Sequence, residues 1–271
     1  MQESSQSIRR IWWCATGPFA FLPIHAAGIY GEGGTCVSDF AISSYIPKIA
    51  TLIEKSRKTE AAPRILLVSQ AKAPELPQIP GVDRETKMLL ELVQGCSLEV
   101  LRLAGEDATS ERMKEEVPSY TWIHLACHAT QHVLRPLKSA FHLLDGELDI
   151  SEIIKLQIPD ADLAFLSACQ TSTGDSELSD EAVHLAAGVL AAGYRSVIST
   201  MWSIKDEHGP EVAELFYIYL LKGGCEDDSK HQRDGASAAH AIHHAIQCLR
   251  RKLGDTDESL LAWVPYVHFG I

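Results

Sequence analysis

Short apolar runs alternate along this chain with stretches whose apolar residues recur every three or four positions. The runs Ile11-Trp12-Trp13-Cys14-Ala15, Ile65-Leu66-Leu67-Val68-Ser69, Trp122-Ile123-His124-Leu125-Ala126-Cys127-His128, Leu163-Ala164-Phe165-Leu166 and Ser196-Val197-Ile198-Ser199-Thr200-Met201-Trp202 are bounded by turn residues. Runs of that length read as strands buried on both faces. Helical spacing occupies 46–58, 82–94, 109–117, 180–192, 210–220 and 236–252, and Ser151 is placed as the N-cap of a helix running to Leu156. Gly95 and Gly193 stand as stops, Pro210 as a helix start. Alternation over 97–103 predicts another strand, residues 140–150 a hairpin, and the three prolines in 73–80 a loop. Trp263-Val264-Pro265-Tyr266-Val267-His268-Phe269 is expected as an edge strand, where proline is tolerated. Alternating strand and helix patterns predict an α/β fold: a mostly parallel sheet with helices on its faces. A loose recurrence of strand–helix units lies on either side of residue 115.

Chemistry is looked for where these strands end, because sites in open α/β sheets lie past the carboxyl ends of the strands. Cys169 and His128 each close a buried run, 41 residues apart. On neighbouring strands an imidazole can deprotonate a thiol for attack on a carbonyl. The backbone N–H groups of Cys169 and of Ala129, just after His128, are the natural oxyanion donors. Taken singly, either residue reads more readily as core, and the pairing is what brings the chemical reading level with it. Trp202 and Asp206 leave the next strand, where a carboxylate could line a pocket for a basic side chain or complement a helix dipole. His124, Cys127, His128 and His132 have metal-ligand side chains, but alternation sends Cys127 to the opposite face from the two strand histidines. His240, His243 and His244 read as a solvated helix face. The run Gly31-Glu32-Gly33-Gly34 lacks the lysine of a phosphate loop. No metal and no cofactor is expected.

Composition narrows the partners. The 271 residues carry a net charge of −12 and a pI of about 5.4. That disfavours nucleic-acid phosphates and anionic membrane surfaces. No apolar run reaches the roughly 18 residues of a membrane span, and the polar opening, 1–10, does not read as a signal peptide. Seven scattered cysteines suit reduced thiols in the cytosol or nucleus, and a cytoplasmic location is expected.

At its candidate residues the sequence resembles the CHAT family of caspase- and separase-like cysteine peptidases. The matching strings are IHLACHATQ, ADLAFLSACQTSTGD, VHLAAGVLAAGYRSVISTMWSIKDE, the closing WVPYVHFG and the early GPFAFLPIHAAG. It looks most like versions from mushroom-forming fungi. The resemblance implies a caspase-like three-layer α/β/α fold, with a non-catalytic half over 1–115 and a catalytic half over 116–271. It implies His128 as general base, Cys169 as the nucleophile that forms a thioester, and peptide or protein substrates. Trp202 and Asp206 match a Trp-x-x-x-Asp segment of separase whose acid meets a basic P1 side chain. Where many relatives carry glycine directly after the histidine, this chain has Ala129. Glycine allows a backbone geometry that presents its N–H to the oxyanion, so a catalytically silent signalling or scaffold module is the alternative reading. A regulatory tetratricopeptide-repeat domain or other activating partner, with latency until it acts, is also implied. No tetratricopeptide helices are read ahead of the domain.

Overall fold

The structure, a computed structural model, describes residues 8–31, 33–54, 61–96, 98–132, 135–158, 160–167, 169–170, 182–223 and 235–271. In chain order the elements are β1 (Arg9–Trp13), β2 (Ala41–Tyr45), α1 (Ala50–Glu54), β3 (Arg64–Ser69), α2 (Gly81–Gln94), β4 (Glu99–Ala104), α3 (Ser110–Glu116), β5 (Trp122–Ala126), β6 (His128–Thr130), β7 (Ala140–Leu143), β8 (Gly146–Asp149), α4 (Ile150–Lys155), β9 (Leu163–Leu166), β10 (Cys169–Gln170), α5 (Ala182–Ala191), β11 (Ser196–Thr200), α6 (Gly209–Lys222), α7 (Ala238–Leu253), α8 (Asp257–Trp263) and β12 (Tyr266–Gly270).

Among these residues eight strands form one sheet in the order β1-β2-β12-β11-β9-β5-β3-β4. All described pairings in it are parallel except β11 with β12. The central strands are apolar on both faces, which is why they read as unbroken runs. Along β3, Leu66 and Val68 face one core, with α3, α4 and α5; Ile65 and Leu67 face the other, with α2, α6 and α7. The result is the caspase-like three-layer α/β/α arrangement. Strands from 116–271 occupy the middle of the sheet, and strands from 1–115 flank them on both sides.

Three expectations change. The closing segment is not an edge strand: β12 lies between β11 and β2. Pro265 costs the ladder nothing there, because it precedes the strand and its carbonyl accepts from the Met201 N–H at 2.8 Å. Trp263 belongs to α8, whose N-cap Thr256 accepts from the Ser259 N–H. The Ser151 cap moves two residues back, α4 beginning at Ile150 after Asp149. Residues 224–234 lie outside the described residues. No described helix is long and apolar enough to cross a membrane.

Candidate active site

Strands β5 and β9 are parallel neighbours in a fixed register, Trp122 opposite Leu163 through Leu125 opposite Leu166. Both then leave the large sheet and continue in a second, four-stranded one of order β10-β6-β7-β8. The register survives the bend: His128 is the backbone partner of Cys169, and Ala129 of Gln170. The 41-residue spacing seen in the sequence is thus the register offset itself. Backbones paired this way lie about 4.8 Å apart. The connection between the two strands holds the expected hairpin, β7 with β8, and the crossover helix α4.

His128 is 2% exposed. Its Nε2 lies 2.6 Å from the Pro77 carbonyl oxygen, in the proline-rich loop between β3 and α2. A carbonyl only accepts, so the contact places the proton on Nε2 and leaves Nδ1 as the basic nitrogen. Among the described residues Nδ1 is buried without a hydrogen-bond partner. The ring is therefore oriented and its base is unspent. Ala129 is fully buried, paired with Gln170 on one side and Phe141 of the hairpin on the other. His142, opposite His128, bonds Thr130 Oγ1 at 3.1 Å. Burial lowers its pKa, against the pull of Glu147 and with help from His128.

Asp206 follows β11. Its Oδ2 accepts the Gly81 N–H at 2.7 Å, so it caps the start of α2 from across the site. A side chain at Gly81 would collide with this carboxylate, its Cβ falling 2.3 Å from Oδ1. Trp202 packs between the two cores, and its Nε1 is buried without a partner among the described residues.

Sequence reading passed over two contributors. Pro77 acts through its carbonyl, which leaves no mark on residue type. Glu85 did leave one. It sits in the buried stripe of α2 with Val82, Thr86, Leu89 and Val93, where an apolar residue is expected. Its Oε2 accepts from Ser167 Oγ at 2.8 Å. Residues 171–181, after Gln170, lie outside the described residues.

Comparison with known proteins bears on this arrangement. The sequence matches the CHAT domain over residues 1–271. The chain belongs to the CHAT family. No curated protein matches the sequence of this CHAT domain. In solved structures it is similar to the Arg-specific cysteine proteinase gingipain R of Porphyromonas gingivalis, with a TM-score of 0.55 and 11% identity over 85% of this chain and 54% of the other. It is also similar to separase in the Saccharomyces cerevisiae separase–securin complex, with a TM-score of 0.60 and 12% identity over 93% of this chain and 15% of the other. The CHAT domain thus spans about half of the gingipain chain and a small part of the separase chain. At these identities the likeness is one of fold, that of the caspase-like cysteine peptidases.

Proposed function

We propose that this CHAT domain is a cysteine endopeptidase working through His128 and Cys169, with protein or peptide substrates. The observation that carries the reading is the backbone pairing of Cys169 with His128, whose ring is anchored at Nε2 and free at Nδ1. The Cys169 thiol passes its proton to Nδ1 and the sulfur attacks the scissile carbonyl carbon. The backbone N–H groups of Cys169 and Ala129 are assigned to the resulting oxyanion. Collapse of the tetrahedral adduct breaks the C–N bond. The leaving amine takes the proton from Nδ1, and a thioester stays on Cys169. Water, deprotonated by the same nitrogen, then hydrolyses the thioester to a free carboxylate and restores the thiol. Through its hold on Nε2, the Pro77 carbonyl steadies the imidazolium formed in each half-reaction.

Asp206 is assigned to a basic P1 side chain and Trp202 to the wall of that pocket. A carboxylate has about four acceptor positions, and the Gly81 N–H takes one while orienting the group. A P1 arginine or lysine meets an acid already partly satisfied, which fits a latent form that an activating partner, such as a tetratricopeptide-repeat domain, rearranges.

The test is labelling with acyloxymethyl-ketone peptides that differ at P1, on the wild type and on Cys169→Ala. Labelling of wild type at Cys169, strongest with arginine or lysine at P1 and lost in the variant, is the expected result. Wild type that stays unlabelled by every probe, with and without a partner domain, would make the silent scaffold the better reading.

A further inference from the structure

The nucleophile strand is held from behind by an acid in the core. Ser167 stands at the bend where the chain leaves β9 for β10, two residues before Cys169. Its hydroxyl donates to Glu85 Oε2, and Glu85 is 2% exposed. A carboxylate so buried costs several kcal/mol unless partners surround it. Here they do. Glu85 Oε1 lies 2.9 Å from His124 Nε2 on β5, a close contact without the alignment of a hydrogen bond. His124 Nδ1 is 3.2 Å from the Tyr217 hydroxyl, and its ring stacks on Phe165 of β9 at 5.0 Å. Burial, and then the Glu85 charge, raise the Tyr217 pKa well above the usual phenol value. Tyr217 therefore keeps its proton, and its hydroxyl holds the His124 ring at Nδ1 while Nε2 faces the acid. Behind Glu85 stands Gly209, the first residue of α6, where even a Cβ would come no nearer than 3.7 Å to Oε2 and 3.8 Å to Ser167 Oγ. The positive end of that 14-residue helix thus lies beside the acid.

Helix α2 gathers the other ties of the site as well. Its leading loop supplies the Pro77 carbonyl to His128, and its first N–H binds Asp206. Glu85, one turn further along, reaches Ser167.

We propose that Glu85 is a positioning residue for the nucleophile: through Ser167 it fixes the β9–β10 bend and so holds Cys169 opposite His128. The proposal rests on the reading of Cys169 as the nucleophile. A merely structural acid would change stability without changing the chemistry of folded molecules. The two differ in Ser167→Ala, which cuts the tie while leaving the buried acid and His124 in place.

The experiment compares the full chain as wild type, Ser167→Ala, Ser167→Thr and Glu85→Gln. It reads the rate of iodoacetamide alkylation at Cys169 against pH by peptide mass spectrometry, kcat and KM on a peptide with P1 arginine, and thermal unfolding. Misplacing reacting groups by about 1 Å can cost up to about a hundredfold in rate. Ser167→Ala is expected to remain folded and to alkylate about tenfold more slowly at neutral pH. Its pH profile should move toward that of an unassisted thiol near pH 8.5, with kcat reduced and KM unchanged. Ser167→Thr, which keeps the hydroxyl, should restore the rate, and Glu85→Gln, which keeps an acceptor, should fall between. A Ser167→Ala protein with the wild-type alkylation rate and profile overturns the proposal, whether or not any peptide is cleaved. A wild type whose Cys169 is activated yet hydrolyses no peptide sinks the peptidase reading instead, and the alkylation comparison still decides the role of Glu85.

Discussion

The Asp206 carboxylate meets the first amide of α2 and is also assigned to the P1 side chain, so its removal should have two separable effects. Losing a cap costs about 1 kcal/mol, visible as a small drop in the urea midpoint of Asp206→Ala. Losing the partner of a buried cationic P1 group should cost about tenfold or more in kcat/KM for arginine and lysine, with neutral P1 substrates much less affected. An unchanged P1 profile would remove Asp206 from the pocket and leave it as a cap alone. His128 shows the same economy at one side chain. One ring nitrogen is committed to Pro77 and the other kept free, and that division makes a buried histidine read as a base and not as core.

Among the elements, the start of β9 is a place where a single side chain ties several strands together. Asp162 is 1% exposed and accepts from Trp122 Nε1 at 3.0 Å, from Arg195 at 3.1 Å and from the Gly235 N–H at 2.7 Å. It joins the starts of β5, β9 and β11 and the approach to α7. Asp162→Ala takes the acceptor from the Trp122 indole, the Arg195 guanidinium and the Gly235 amide at once, a loss of about 3 kcal/mol at roughly 1 kcal/mol for each hydrogen bond. Chemical denaturation should show that loss, and a variant within 1 kcal/mol of wild type would count against it. Elements of this kind were open to sequence reading to different degrees. The strands β3, β5, β9 and β11 announce themselves because both faces are buried. The break between β5 and β6 does not, since no glycine, proline or other turn residue marks Cys127, where the backbone changes sheets. Helix α8 was hidden because Trp263 and Val264 run on into β12 without a change of character. Of the site, His128 and Cys169 could be read because each closes an apolar run. Glu85 could have been read as an acid breaking an apolar stripe. The Pro77 carbonyl and the Gly81 amide belong to the backbone, and residue type says nothing of them.

Over the whole molecule, acid sensitivity should come from the face of the sheet that α7 covers. His25, His243 and His268 line one small cavity between β2, β12 and α7, so His243 stands in a cavity wall and not on the solvated helix face that its spacing suggests. Burial lowers the pKa of His25 and of His243 to about 4 in each case and takes His268 well below its usual value. His240 and His244 add to the shift of His243, and Asp39 opposes it. The folded chain keeps these rings neutral, whereas the unfolded chain protonates them near pH 6.5. Their contribution is complete above that pH and is lost as the pH falls from about 6.5 toward 4. Stability should therefore fall across that range in urea titrations, and His243→Gln should flatten the slope. Equal slopes in the two proteins would place the acid sensitivity elsewhere.

The register that carries β5 and β9 through their common bend sets where the chain can change length. Between them the chain carries the β7–β8 hairpin and α4, and insertions confined to the turns that join these elements should be absorbed, with His128 and Cys169 still opposite one another. A single residue added between Leu125 and His128, or between Leu166 and Cys169, would slide one strand end past the other and set a different residue opposite the imidazole. Two short hinges, and not the long excursion between them, are the places where drift in length would silence the domain.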